Sequence, residues 1–174
     1  MNAQPAPDNA AEPQEVYLDR SRVEGPEILG MVSGVVLILS LWLPWYSTSA
    51  ANVNSKILSA GIGPGQSADA WETFSSLQWL LLLLGLAPFI LAWIVARGHK
   101  LGWRPGEVTM IAGMTGVVLV FGNGVIFGKP KPNIDISLDI GWWVALLACI
   151  GIVVGGFRRQ AAGSTAARKP PGTV

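Results

Sequence analysis

Leu77-Gln-Trp-Leu-Leu-Leu-Leu-Leu-Gly-Leu-Ala-Pro-Phe-Ile-Leu-Ala-Trp-Ile-Val-Ala96 runs for 20 residues without one Asp, Glu, Lys, Arg or His. A helix crossing a hydrocarbon core of about 30 Å needs about 20 mainly apolar residues. A soluble helix would carry a polar stripe, and this run is apolar all round. Three further runs read the same way: Ile28 to Trp45, Val108 to Phe127 and Ile140 to Phe157. None holds an ionisable group in its interior, so the reading is an all-α integral membrane bundle of four transmembrane helices.

Composition agrees. Of 174 residues, 51% are hydrophobic and only 13% charged, against about 25% charged in soluble domains. The missing charge means that apolar side chains face an apolar solvent as well as a core. A net charge of +1 gives no field that would draw nucleic acid; the expected surroundings are the lipid bilayer. Position matters more than sum. Arg20 and Arg22 precede the first run, Arg97, Lys100 and Arg104 separate the second from the third, and Arg158, Arg159, Arg168 and Lys169 follow the fourth. Only Lys56, Lys129 and Lys131 lie between the other ends. The positive-inside rule therefore places both termini in the cytoplasm and the protein in the plasma (inner) membrane as a multi-pass chain.

The domain organisation expected is a disordered acidic, Pro-rich cytoplasmic tail at 1–26, a transmembrane domain at 27–158 and a disordered basic tail at 159–174. The tails hold too little apolar surface to offset the entropy of ordering. Residues 1–27 carry six acids and four prolines without an apolar stretch, so no cleaved signal peptide is expected. Within the domain the helices are placed at about 28–45, 70–96, 107–127 and 140–157, leaving outer loops at about 47–73 and 128–139. Asp69-Ala-Trp-Glu72 has the spacing of a capping box and starts the second helix near Ala70. Asp139 is placed to cap the fourth. Pro44 ends or bends the first helix, and Pro88 kinks the second. Trp42, Trp45, Tyr46, Trp142 and Trp143 fall at outer helix ends and Trp93 and Trp103 at inner ends, as an aromatic belt requires.

Small residues mark contact faces between membrane helices, where van der Waals packing replaces the hydrophobic effect. Gly30, Ser33, Gly34 and Ser40 share a face of the first helix. Gly113 and Gly116 mark the third, and Gly141, Ala145, Ala148, Gly151 and Gly155 recur along the fourth. Gly30-x-x-x-Gly34, Gly124-x-x-x-Gly128 and Gly151-x-x-x-Gly155 match the small-xxx-small pattern. The second helix is leucine-rich and lacks such a stripe, so much of it is expected to face lipid or a partner. Asn123 is the strongest buried polar candidate, followed by Gln78, Thr115 and Ser40, with a bond across to a neighbouring helix as its expected role.

Chemistry-bearing patterns are scarce. Cys149 is alone inside an apolar run and reads as a packing residue. The one histidine, His99, lies in the basic loop and excludes paired-histidine haem or zinc ligation. Gly61-Ile-Gly-Pro-Gly65 lacks the Lys-Ser/Thr of a phosphate loop and reads as a turn. Asp69, Glu72 and Asp135 could form a paired-carboxylate site only if they converged. The expectation is a non-enzymatic protein with no catalytic residue, no cofactor and no metal.

Leu41-Trp-Leu-Pro-Trp-Tyr-Ser47, followed by Trp71-Glu-Thr-Phe74 and a leucine-rich helix, resembles small four-helix membrane proteins of actinobacterial genomes, over about residues 28–157. Those carry a Leu-Pro-Trp after helix one and a Trp-x-x-Phe before helix two; the resemblance implies topology and no activity. The layout of a long first outer loop and a shorter second one is also loosely similar to that of claudins, without their Gly-Leu-Trp signature or cysteine pair. The function expected is an accessory or scaffold component of a membrane complex, with a membrane-protein partner or a homo-oligomer, and Trp71, Phe74 and Lys56 as candidate contacts. The alternative is a small oligomeric transporter or channel lined by Asn123, Thr115 and Gln78.

Overall fold

In the computed structural model, which describes residues 25–97 and 105–166, the first apolar run forms α1, Gly25–Ser40. Its buried residues, Gly30, Ser33, Gly34, Leu37 and Ser40, lie on one face at helical spacing. Val32, Val35, Val36 and Leu39 are exposed on the other. Beyond Ser40 the chain tightens, with Leu41, Trp42 and Leu43 each donating to the carbonyl three residues back at 3.2 Å. Pro44, with no N–H to give, ends the helical run.

The other long helices are α3, Leu77–Ala96, α4, Pro105–Phe121, and α5, Ile140–Ala166. Between α1 and α3 lies α2, a single turn over Ala70–Thr73, and α4 runs on into a π-helical stretch, Gly122–Ile126. Helix α5 packs between α1 and α4, while α3 lies against α1 and, less extensively, α4. Three segments are long and apolar enough to cross a membrane: Leu77–Ala96, Gly106–Ile126 and Ile140–Ala162, with mean hydropathies of 2.5, 1.8 and 2.2. Helix α1 is apolar but shorter. The chain is thus a mostly helical membrane protein with three candidate spans and a fourth, shorter apolar helix.

Backbone proximity holds the bundle. A Cβ on Gly155 would stand 3.0 Å from the amide nitrogen of Gly30, one on Gly113 would stand 2.6 Å from that of Val153, and one on Gly116 would meet Cys149 Sγ at 2.7 Å. Gly151 lies against the Ser33 hydroxyl. The stripe on α5 therefore faces α1, and the glycines of α4 face α5. The lone cysteine is buried in that second contact. Helix α3 is not free of this pattern: its one glycine, Gly85, packs backbone to backbone against Gly34.

The structure corrects the all-α reading. Three short strands, β1 (Tyr46–Thr48), β2 (Ser67–Ala68) and β3 (Ile136–Leu138), form an antiparallel sheet in the order β2-β1-β3. Tyr46 pairs with Ala68 on one side and Leu138 on the other, and Thr48 with Ile136. The two connections at this end of the bundle thereby fold onto each other as one cap. The second helix is not continuous over 70–96: the capping box forms, with Glu72 N–H donating to Asp69 Oδ1 at 2.9 Å and Asp69 N–H to Glu72 Oε2 at 3.2 Å, but the turn ends at Phe74, which is extended. Helix α3 restarts at Leu77, so one helix over 70–96, which would measure about 40 Å at 1.5 Å per residue, does not arise.

Two further expectations change. Gly128 lies beyond the π stretch at φ +84, so Gly124 and Gly128 are not a helical pair. Gly124 instead leaves room for the Trp142 indole. The fourth helix runs past Phe157 to Ala166, and Arg159 in that extension pairs with Glu27 of α1. Gln160 also reaches Glu107 of α4 at 3.4 Å. His99, residues 1–24 and residues 167–174, where most of the two expected tails falls, lie outside the described residues.

Candidate functional site at the capped end

Tyr46 is the hub of the cap. It is fully buried at the centre of the sheet, and its hydroxyl donates to the Asn123 carbonyl at 2.9 Å, joining β1 to the π stretch. Burial pushes the phenol above its ordinary range, because removing a charge from water is unfavourable; the group therefore stays a donor. Trp45, beside it, sends its indole N–H to the Ser40 carbonyl at 2.8 Å. Phe74 meets both rings nearly edge-on, 5.5 Å from Trp45 and 6.1 Å from Tyr46. Trp142 completes the layer, its indole N–H donating to the Val120 carbonyl at 3.0 Å. These aromatics fix the cap to the helix ends through hydrogen bonds as well as buried area.

The long loop between β1 and β2 is tied down over its whole length. Thr48 Oγ1 accepts from Gln66 N–H at 3.0 Å and lies 2.8 Å from the Gly63 carbonyl. Ser55 Oγ is buried, accepts from Ser49 N–H at 2.8 Å and donates to the Asp135 carbonyl at 3.0 Å. Asn52 donates to the Asp135 carboxylate. Ile57, fully buried, anchors a turn through paired backbone bonds with Ile62. Leu58 N–H donates to the Lys131 carbonyl at 3.4 Å. The loop is thus an ordered platform, and it carries two exposed apolar side chains, Val53 at 80% and Leu58 at 65%, on either side of exposed Lys56.

The residues expected to meet a partner separate on this platform. Phe74 is half-buried in the aromatic layer. Trp71 is half-buried between Trp42 and Trp79, with ring centroids 5.5 and 5.1 Å away, and its indole nitrogen is buried with no hydrogen-bond partner. Lys56 stands exposed. Among the polar residues, Asn123 makes no bond across helices: its amide donates to the Leu119 carbonyl in its own helix at 3.0 Å. Thr115 does the same toward Ile111 at 2.9 Å on an exposed face, while Gln78 is buried at the start of α3. A helix satisfies such groups from within whenever a carbonyl one turn back is in reach, and exposed Thr115 and buried Gln78 lie in different surroundings. Asp69 and Glu72 are taken up by their shared capping box, and the Asp135 carboxylate accepts from Asn52.

Beside the hub, at the junction of cap and helices, lies a cleft of about 220 Å³. Tyr46, Thr73, Phe74 and Asn123 form its inner wall, and Ser59, Phe127, Lys129 and Lys131 are among the residues at its mouth. The Lys129 ammonium reaches the Ile136 carbonyl; Lys131 is exposed. Gly128, Asn133 and Asp135 all adopt positive φ, at 84°, 60° and 48°, and shape this loop. Sequence reasoning named Phe74 and Asn123 but did not join them to Ser59, Lys129 and Lys131 as one site, and it passed over Val53 and Leu58. One signal was present: Gly128-Lys-Pro-Lys-Pro132 puts two cations at the end of the chain's helices that otherwise carries few. Comparison of the chain with family models, with curated proteins and with solved structures gave no significant match in any of the three.

Proposed function

We propose that this chain is a non-enzymatic, four-span plasma-membrane protein that serves as an accessory or scaffold subunit, its cap docking a membrane-protein partner. The observation that carries the reading is the pair Val53 and Leu58. Exposed leucines and valines on the long helices are what a bilayer asks for. On a polar, hydrogen-bonded cap they belong to no apolar helix face, and two of them bracket Lys56 within six residues. Ordered apolar side chains in that setting mark interaction surfaces.

With its tightened last turn, α1 reaches from Gly25 to Leu43, about 28 Å at 1.5 Å per residue, enough to cross with the other three. Arg97, Arg158 and Arg159 lie at the helix ends away from the cap, and the excess of basic residues on that side favours both termini in the cytoplasm. The Leu43-Pro44-Trp45 run shared with the small actinobacterial membrane proteins falls where α1 enters the cap, so the likeness bears on this junction.

The test is photo-cross-linking from position 58 in the full-length protein at native expression, followed by mass spectrometry of the adducts. One stoichiometric membrane partner is expected, and it should be lost in the Val53→Asp/Leu58→Asp variant. Adducts only to lipid, or to further copies of this chain, would sink the accessory reading.

A further inference from the structure

We propose that the cleft between cap and helices is a binding site for the phosphate headgroup of an anionic phospholipid. Its lining includes two lysines, Lys129 and Lys131, and no acidic residue. An ammonium has three donors. Lys129 uses one on the Ile136 carbonyl, which fixes its position and leaves two to give. Lys131, on the far side of Pro130, is exposed and its backbone is pinned by Leu58. Ser59 adds a hydroxyl at the mouth. One lysine held by its ammonium, a second held through its backbone and a nearby hydroxyl supply donors for a phosphate's acceptors, as charge-assisted bonds require.

The apolar side of the mouth selects a lipid over a free anion. Phe127 is 81% exposed, and Val125 and Ile126 before it are 54% and 66% exposed. They lead without interruption from the cleft onto the outward face of the helix that α4 begins. A headgroup in the cleft would let its acyl chains run down that face, at the depth where helix ends meet headgroups. The π-helical turn that places these residues is a kind of local widening frequent at functional sites. Val53, Lys56 and Leu58 do not line the cleft, but Leu58 bonds Lys131 at its mouth, so the site borders the proposed docking surface.

The test uses the full-length protein in nanodiscs of phosphatidylcholine with and without phosphatidylglycerol, reading retained lipid by native mass spectrometry after transfer to mild detergent. Wild type is expected to keep one phosphatidylglycerol. Lys131→Gln should lower the retained fraction about tenfold, as loss of one charge-assisted bond implies. Ser59→Trp, which blocks the mouth and keeps both lysines, should lower it as far, and Ser59→Glu, which repels the phosphate without bulk, does the same if the tryptophan variant fails to fold. Arg158→Gln, away from the cleft, should keep wild-type retention. Unchanged retention in a folded Ser59 variant would reduce the effect to diffuse surface attraction and overturn the site. So would a wild type holding no more phosphatidylglycerol than Lys131→Gln. Equal thermal stabilisation by inorganic phosphate in phosphatidylcholine discs would overturn the lipid assignment.

Discussion

Gly30 and Gly34 occupy the same face of α1 one turn apart, and replacing each by alanine should move stability in opposite directions. A Cβ on Gly30 would rest 3.6 Å from Pro88 Cβ and 3.7 Å from Thr109 Cγ2, which is ordinary contact. Gly30→Ala therefore loses only backbone freedom in the unfolded chain and should stabilise by about 0.4–1 kcal/mol. A Cβ on Gly34 would instead press into the Gly85 carbonyl and lie 3.3 Å from Phe89 Cε2. The obstacle is backbone, so no rotamer relieves it. Carbon and carbonyl oxygen settle at about 3.3 Å, and α1 must part from α3 by up to about 1 Å to restore that. Overpacking of this kind costs about 1–3 kcal/mol, leaving a net loss of about 1–2 kcal/mol after the same entropic gain. Gly85→Ala strains the same seam, with Ile38 Cγ1 at 2.7 Å and the Gly34 carbonyl at 3.0 Å. Once the helices have parted for one alanine the second meets less resistance, so the double variant should fall short of additivity. Unfolding in dodecyl maltoside titrated with dodecyl sulfate, followed by tryptophan fluorescence, compares the four variants with wild type. Equal effects of Gly30→Ala and Gly34→Ala, or full additivity with Gly85→Ala, would refute the seam.

Tyr46→Phe removes a buried donor from the Asn123 carbonyl and should cost about 1 kcal/mol at neutral pH. Its pH dependence is the sharper check. The folded-state pKa lies above the unfolded value of about 10, so wild-type stability from this group is complete below about pH 10 and is lost as pH rises further toward the folded pKa. The gap between wild type and Tyr46→Phe should therefore be constant at neutral pH and narrow in alkali; a gap that widens there contradicts burial of the phenol. Trp142→Phe gives up the bond to Val120 and leaves unfilled space beside Gly124, for about 2 kcal/mol in the same unfolding assay. A loss below about 0.5 kcal/mol would mean that the indole is not the wedge between cap and bundle.

The sequence made the bundle legible because each long helix announces itself over many residues. Leu77–Ala96 needs no partner to be recognised, and the Asp69–Glu72 box carries its own start signal. The sheet gave no such warning. Tyr46-Ser-Thr48 and Ile136-Ser-Leu138 are too short for a period of two to rise above chance, and their pairing joins Ser47 to Ser137 across a separation of 90 residues. The break after Thr73 is punctuated only by Ser75 and Ser76, with neither glycine nor proline to mark it. Gly85 was hidden by its context, since one small residue among leucines forms no stripe until Gly34 is set against it. At the candidate cleft, the lysines were visible but their meeting with Tyr46 and Ser59 depended on the unforeseen sheet.

The central strand of the cap has a consequence for how the protein is made. β1 follows α1 directly, yet β3, one of its two partners, is only synthesised just before α5, and Trp45 and Pro44 also wait for the amides of Asp139 and Gly141 at 2.9 and 2.6 Å. Because membrane helices enter in sequence, the cap must remain incomplete, lacking β3 and the Asp135 bonds to the first loop, until nearly the whole chain has been threaded. Closure of the cap is then a signal of completed biogenesis, available to any quality-control protease on that side of the membrane. Nested truncations place the moment: chains ending before Ile136 should be cut within residues 49–66 by protease added at the cap side, and full-length chains should resist. Equal resistance in both would show that the first loop closes without its late partner.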